Sequence, residues 1–182
     1  SAAWSDSGAE GAYRYLRRLW NFGVKQAGVI SNAGEDVSAA GKDAKALRRE
    51  VHLLLKQIRH DYDRLQYNTV ASGAMKLLNV LEEFANDGSA ASNASLREGL
   101  SVLLRTLYPV CPHIAHALWQ ALGYAAAQGE ILDAAWPRAD DAALLLDEIE
   151  LMLQVNGKLR GAILVPATAS REQIEAIALA SE

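Results

Sequence analysis

Residues 43–65, DAKALRREVHLLLKQIRHDYDRL, decide the fold. Leu47, Val51, Leu54, Ile58, Tyr62 and Leu65 recur at steps of three and four, the spacing of one face of an α-helix. No glycine or proline interrupts the run. The opposite face is basic. Lys45, Arg49, His52, Lys56 and Arg59 follow steps of 4, 3, 4 and 3, which places them within about 80° of one another on a helical wheel. A helix with one apolar stripe is stable only against other helices or a sheet, so its neighbours decide the architecture.

Upstream, Ser7 and Glu10 have capping-box spacing, and Ala9, Tyr13, Leu16, Trp20, Val24 and Ala27 form a helical stripe that Gly28 ends. Residues 31–42, SNAGEDVSAAGK, are small and polar and read as a loop. Downstream, Asn68-Thr69 recaps the chain. A third helix buries Val70, Ala74, Leu77, Leu81 and Phe84, and a fourth buries Leu96, Leu100, Leu103 and Leu107. Pro109 and Pro112 end the fourth, and Pro112 opens a fifth, where its missing N–H costs nothing. Five amphipathic segments with mostly short connections predict a mainly α protein, an antiparallel helical bundle. Past Trp136-Pro137 the pattern changes. Residues 149–154 (IELMLQ) and 161–165 (GAILV) flank Asn156-Gly157 as a β-hairpin would. Ser170 and Gln173 form a second capping box before a helix with Ile174 and Ile177 inward. The expected organisation is a bundle over 1–137, a linker over 138–146 and a small α+β unit over 147–182. One hairpin and one helix bury little area, so that unit is expected to be docked or truncated.

Composition narrows the class. Of 182 residues 51% are apolar and 22% charged, which excludes a disordered chain. No apolar run reaches the roughly 18 residues of a membrane span. A single cysteine, Cys111, forms no internal disulfide and fits a reducing compartment. The chain does not begin with Met and reads as a piece of something longer. The net charge of −4 conceals an asymmetry: residues 1–67 hold 11 Lys/Arg against 8 Asp/Glu, and residues 68–182 hold 7 against 14. One end can face a polyanion while the rest stays acidic.

Chemistry is sparse. His113 and His116 have a metal-ligand spacing, but no third donor is placed to complete a site. Cys111, between two prolines, reads as a core residue. Glu82-Glu83 and Asp140-Asp141 read as solubilising charge on exposed turns. Neither a phosphate-cradling glycine loop nor a zinc-protease motif occurs. The basic residues are better ordered. Beside the stripe above, Arg14, Arg18 and Lys25 share a face of the first helix with Arg17 at its edge. Two such stripes on neighbouring helices suit a phosphate backbone, although an ordinary solvated face has the same pattern. Trp20 and Tyr62 lie on the apolar stripes and are expected to pack rather than stack on bases.

Three motifs then resemble a known family. Residues 4–20 (WSDSGAEGAYRYLRRLW) are similar to the start of the anticodon-binding domain of bacterial leucyl-tRNA synthetases. Residues 108–119 (YPVCPHIAHALW) resemble the Pro-His…Leu-Trp motif of class I synthetases, followed by Trp136-Pro137 and Asp140. Residues 154–161 (QVNGKLRG), with Val165-Pro166, look like the hairpin that opens those enzymes' C-terminal domain. The likeness spans nearly the whole chain in order. It departs at Ala9, usually Val, at His116-Ala117, often a Glu pair, and in the 31–42 loop. The resemblance implies a bundle of the class I synthetase anticodon-binding type. It implies a monomeric, cytoplasmic parent that joins leucine to leucine tRNA with ATP and Mg²⁺, through catalytic and editing domains upstream. This chain contains neither His-x-Gly-His nor Lys-Met-Ser-Lys, so no catalytic residue, cofactor or metal is expected in it. Six leucine codons prevent one anticodon from serving as identity signal, so the family reads tRNA shape, which RNA presents through phosphates and 2′-hydroxyls. The tRNA-binding candidates are Arg14, Arg17, Arg18, Lys25, Lys45, Arg49, Lys56, Arg59, Lys158 and Arg160. Two other readings of the residues stand beside this one: a helical protein-interaction module without RNA affinity, and a self-standing enzyme using His113 and His116.

Overall fold

In the computed structural model, which describes residues 5–145, 148–155 and 158–180, the apolar stripes fold into helices α1 (Asp6–Asn32), α2 (Lys42–Asp63), α3 (Tyr67–Glu83), α4 (Ala90–Leu107), α5 (Pro112–Ala121) and the short α6 (Tyr124–Gln128). A 3-10 turn at Ala142–Leu144 follows. Strands β1 (Glu148–Val155) and β2 (Lys158–Pro166) and helix α7 (Arg171–Ala180) complete the chain. It divides into two compact units, one ending at Leu144 and the other beginning at Leu145. Residues 138–144, expected as linker, fold with the helical unit: the 3-10 turn packs on α2.

The helical unit is built around α4. Fourteen of its 18 residues are buried, so it has no solvent face and touches α1, α2, α3 and α5. Two of its hydroxyls bond within the helix, Ser95 Oγ donating to the Ala91 carbonyl at 2.7 Å and Thr106 Oγ1 to Val102 at 2.9 Å, whereas the buried Ser101 Oγ has no hydrogen-bond partner among the described residues. Arg97 lies over the Tyr124 ring, 4.5 Å from its centroid, and donates to the Ile30 carbonyl at 2.6 Å. That carbonyl lies in the last turn of α1, where a cation offsets the negative helix end. Gly73 and Gly99 permit close helix approach. A Cβ on Gly73 would stand 2.5 Å from Ile58 Cγ1, and one on Gly99 2.6 Å from Leu81 Cδ2.

The expected faces of α3 and α4 are the observed ones: Val70, Ala74, Leu77 and Leu81, and Leu96, Leu100, Leu103 and Leu107, are all buried. Phe84 is half-buried. In α2 the face turns toward Ala44, Val51, His52, Leu55 and Ile58. Leu55 is in the core and Leu54 half-buried. The helix ends at Asp63, and Leu65 takes a left-handed φ of 56° and is exposed. The Gln66 amide reaches back to the Asp61 carbonyl at 2.9 Å, the six-to-one bond of a Schellman stop. In α1 the register differs most. Its core residues are Tyr15, Leu19, Phe22, Gly23 and Ile30, rotated roughly 100° from the stripe read in the sequence. Tyr13, Trp20 and Val24 are exposed. The N-cap is Ser5, which accepts from the Gly8 amide at 3.3 Å, while Glu10 pairs with Arg14 rather than closing a box.

In the second unit β1 and β2 pair antiparallel, with an irregularity between Leu153 and Gln154 that accommodates an extra β2 residue. Side chains alternate as a sheet requires: Ile163 and Val165 are buried, Met152 and Leu164 exposed. Helix α7 packs on β2. Its capping box is reciprocal, Ser170 N donating to Gln173 Oε1 at 2.9 Å and Gln173 N to Ser170 Oγ at 3.3 Å. The turn expected at Asn156-Gly157 lies outside the described residues.

Candidate nucleic-acid interface

The two basic stripes are not side by side. Helix α1 packs principally on α3, α4 and α5, and α2 on α3 and α4, so α3 and α4 stand between them. Intramolecular pairing then sorts the cations. On α1, Arg14 pairs with Glu10 at 3.4 Å, and Arg18 pairs with Glu82 and donates to Asn79 Oδ1 at 2.8 Å. Glu82 is therefore a tertiary partner of α1 rather than idle surface charge. Arg17 and Lys25 are exposed and make no ion pair among the described residues.

On α2, Arg49 is half-buried beside Glu50 at 3.3 Å, Lys56 reaches Asp141 at 3.0 Å, and Lys45 also has a partner. His52, read as part of the basic face, is buried. The hub is Arg48, which falls between the two stripes on the wheel. It donates to Glu98 at 2.6 and 3.1 Å and to Asp140 Oδ2 at 3.0 Å. The Asp140 amide donates to His52 Nδ1 at 3.1 Å, so Nε2 carries the proton that faces Glu98 Oε1 at 3.2 Å. Burial pushes the Glu98 carboxyl up, but hydrogen bonds from His52 and Arg48 and the Arg48 charge outweigh it and hold the group at about 2. The Arg48 hydrogen bond likewise holds Asp140 below the usual carboxylate range. Asp140-Asp141 is thus a clasp on α2, not a solubilising pair.

Arg59 is exposed and makes no ion pair among the described residues. It borders an open hollow of about 720 Å³ lined also by Tyr62, Asp63, Tyr67, Pro109, Ala135, Trp136 and Arg138. Lys158 and Arg160 are exposed on β2 of the other unit. Arg138 and the aromatic wall of the hollow escaped the sequence reading, because their segments meet only in the fold.

His116 pairs with Glu130 at 3.2 Å and His113 is exposed. Among the described residues no group of three His, Cys, Asp or Glu side chains is placed to hold a metal. Burial raises the Cys111 thiol above its ordinary value, the reverse of an activated nucleophile. No helix among the described residues is long and apolar enough to cross a membrane.

Fold and surface define a helical module with exposed cations and no assembled catalytic constellation among the described residues. The chain belongs to the family described as the anticodon-binding domain of tRNA ligases, which matches residues 44–176. It is 67% identical over 181 residues to a leucine–tRNA ligase of Methylibium petroleiphilum, covering 100% of this chain and 20% of that protein. It is 62% identical over 178 residues to that of Leptothrix cholodnii, covering 98% of this chain and 20% of the relative. The chain thus spans about a fifth of the length of these curated relatives. The fold is similar to the LeuRS of a solved ternary complex, Agrobacterium radiobacter K84 agnB2 LeuRS with tRNA and LeuAMS. The TM-score is 0.78 at 25% identity, over 98% of this chain and 23% of that one.

Proposed function

We propose that this chain is the tRNA-gripping part of a cytoplasmic, monomeric leucine–tRNA ligase, which holds leucine tRNA by backbone and shape contacts. Catalytic and editing domains elsewhere in the parent act on the bound tRNA. The observation that carries this reading is the 67% identity to a leucine–tRNA ligase along the entire chain. ATP and Mg²⁺ act in the parent's catalytic domain. What this chain contributes is position: a rigid, α4-centred scaffold that presents cations to phosphates.

Among the candidates, Arg17, Lys25 and Arg59 carry the contact first, because no internal carboxylate among the described residues competes for them. Arg14, Arg18, Lys45, Arg49 and Lys56 must exchange an existing partner and contribute less. Lys158 and Arg160 form a separate contact on the α+β unit. Titrating the chain with leucine tRNA across a salt series tests this. Log affinity falls linearly with log salt, and reversing Arg17 and Arg59 to Glu weakens binding more than reversing Lys56. Absence of binding at low salt, or a flat salt response, refutes the reading.

A further inference from the structure

The hollow at the C-terminal end of α2 combines features that a backbone-tracking surface does not need. Its walls carry three aromatic rings. Tyr62 is the fixed one: its hydroxyl donates to the Thr106 carbonyl at 2.7 Å. Tyr67 and Trp136 stand edge-on to it, with centroids 6.1 and 5.2 Å away and planes at 79° and 88°. Tyr67 remains 51% and Trp136 36% exposed, so one anchored ring holds two others open to solvent. Burying rings of this size is strongly favourable, and their exposure is a standing cost that a ligand removes. Arg59 and Arg138 border the same hollow without an ion pair among the described residues, against one carboxylate, Asp63. The balance there is cationic, and the volume of about 720 Å³ lies in the range of small-ligand sites, roughly 300–1,000 Å³.

We infer that this hollow seats one unstacked nucleotide of a single-stranded or looped RNA segment, its base against Tyr67 and Trp136 and its phosphate on Arg59 and Arg138. Aromatic faces and guanidinium groups are what splayed bases and their phosphates require, and a continuous duplex offers no free base face. Asp63, on the same lining, supplies an acceptor for an exocyclic amine or a ribose hydroxyl. The inference rests on the RNA-binding reading above and deepens it: one nucleotide is gripped by stacking, in addition to phosphates held by charge.

Tryptophan emission and fluorescence anisotropy test it, with hexauridylate and a blunt RNA duplex as probes and leucine tRNA as reference. Hexauridylate is expected to quench emission and the duplex to leave it unchanged. Trp136→Phe removes the quench while anisotropy still reports binding, whereas Trp20→Phe, at the other exposed indole among the described residues of the helical unit, retains it. Tyr67→Ala weakens hexauridylate by about tenfold and leaves the duplex unaffected, and Tyr67→Leu, which preserves apolar volume, does the same if the ring is what matters. Arg59→Gln and Arg138→Gln each reduce the salt slope by about one. Equal quenching by the duplex, or a quench that survives Trp136→Phe and vanishes in Trp20→Phe, overturns the nucleotide seat. Salt-dependent tRNA binding without any hexauridylate quench overturns the seat alone, and no RNA binding at low salt overturns both readings.

Discussion

Helices α1 and α4 differ in how far their own sequences determine what they bury. Helix α4 is enclosed on all sides: Leu96, Leu100, Leu103 and Leu107 are buried, and so are Ser92, Ser95, Ser101 and Thr106 between them. Ser95 and Thr106 close hydrogen bonds within the helix and need no solvent face, while Ser101 Oγ is buried without a partner among the described residues. Helix α1 carries two apolar stripes and buries one. Tyr15, Leu19, Phe22 and Ile30 face the core, while Tyr13, Trp20 and Val24 face outward beside Arg17. The contrast teaches that a helix with one stripe has one orientation, whereas a helix with two is oriented by its neighbours. Gly23 is the contact that decides here, because a Cβ at that position would stand 2.7 Å from Leu118 Cδ2 on α5.

The contrast can be broken or sharpened by substitution. Leu100→Ala in α4 is expected to cost about 2–5 kcal/mol, the range for a fully buried leucine, measured as a shift in the urea unfolding midpoint. A loss under about 0.5 kcal/mol there means that α4 is not the centre of the core. Glu98→Gln, on the same helix, removes the charge shared by Arg48 and His52 and is expected to cost about 1–2 kcal/mol near neutral pH. Its signature is pH dependence. A carboxyl held at about 2, against 4.5 unperturbed, contributes stability that is complete above pH 4.5 and disappears as pH falls toward 2. The unsubstituted chain therefore loses this contribution across that window, and the variant shows a flatter acid limb. If both chains lose stability in parallel, the Glu98 cluster is not what titrates. Smallest of all, Val24→Ser on the outward face of α1 leaves the midpoint within about 0.5 kcal/mol. A cost of leucine-core size at Val24 would restore the stripe read from the sequence.

The cationic surface was half legible in the sequence for the same reason. Spacing identified Lys45, Arg49, Lys56 and Arg59 as one face, because residues three and four apart share a helix side in any fold. Spacing could not show that Lys56 meets Asp141, that Arg18 meets Glu82, or that Arg48 joins Glu98 to Asp140. Those partners lie on other elements, and their pairing leaves Arg17, Lys25 and Arg59 as the open cations. The hollow beside Arg59 was invisible for a related reason. Tyr62, Tyr67, Pro109 and Trp136 come from separate positions in the chain that only the fold brings together; Tyr62 read as core and Pro109 as a helix end.

By itself the sequence determined the helical segments, the faces of α3 and α4, the Pro112 start of α5, the Ser170–Gln173 cap and the hairpin strands. These depend on periodicity, on the missing proline N–H and on short-range capping, all local to the chain. Only the tertiary structure decided which stripe of α1 is buried, why Leu55 rather than Leu54 is fully buried in the core, and which cations remain without internal partners. Each of those depends on what stands opposite. A neighbouring helix excludes water from one face among several apolar ones, and a carboxylate from a distant segment neutralises one guanidinium among several.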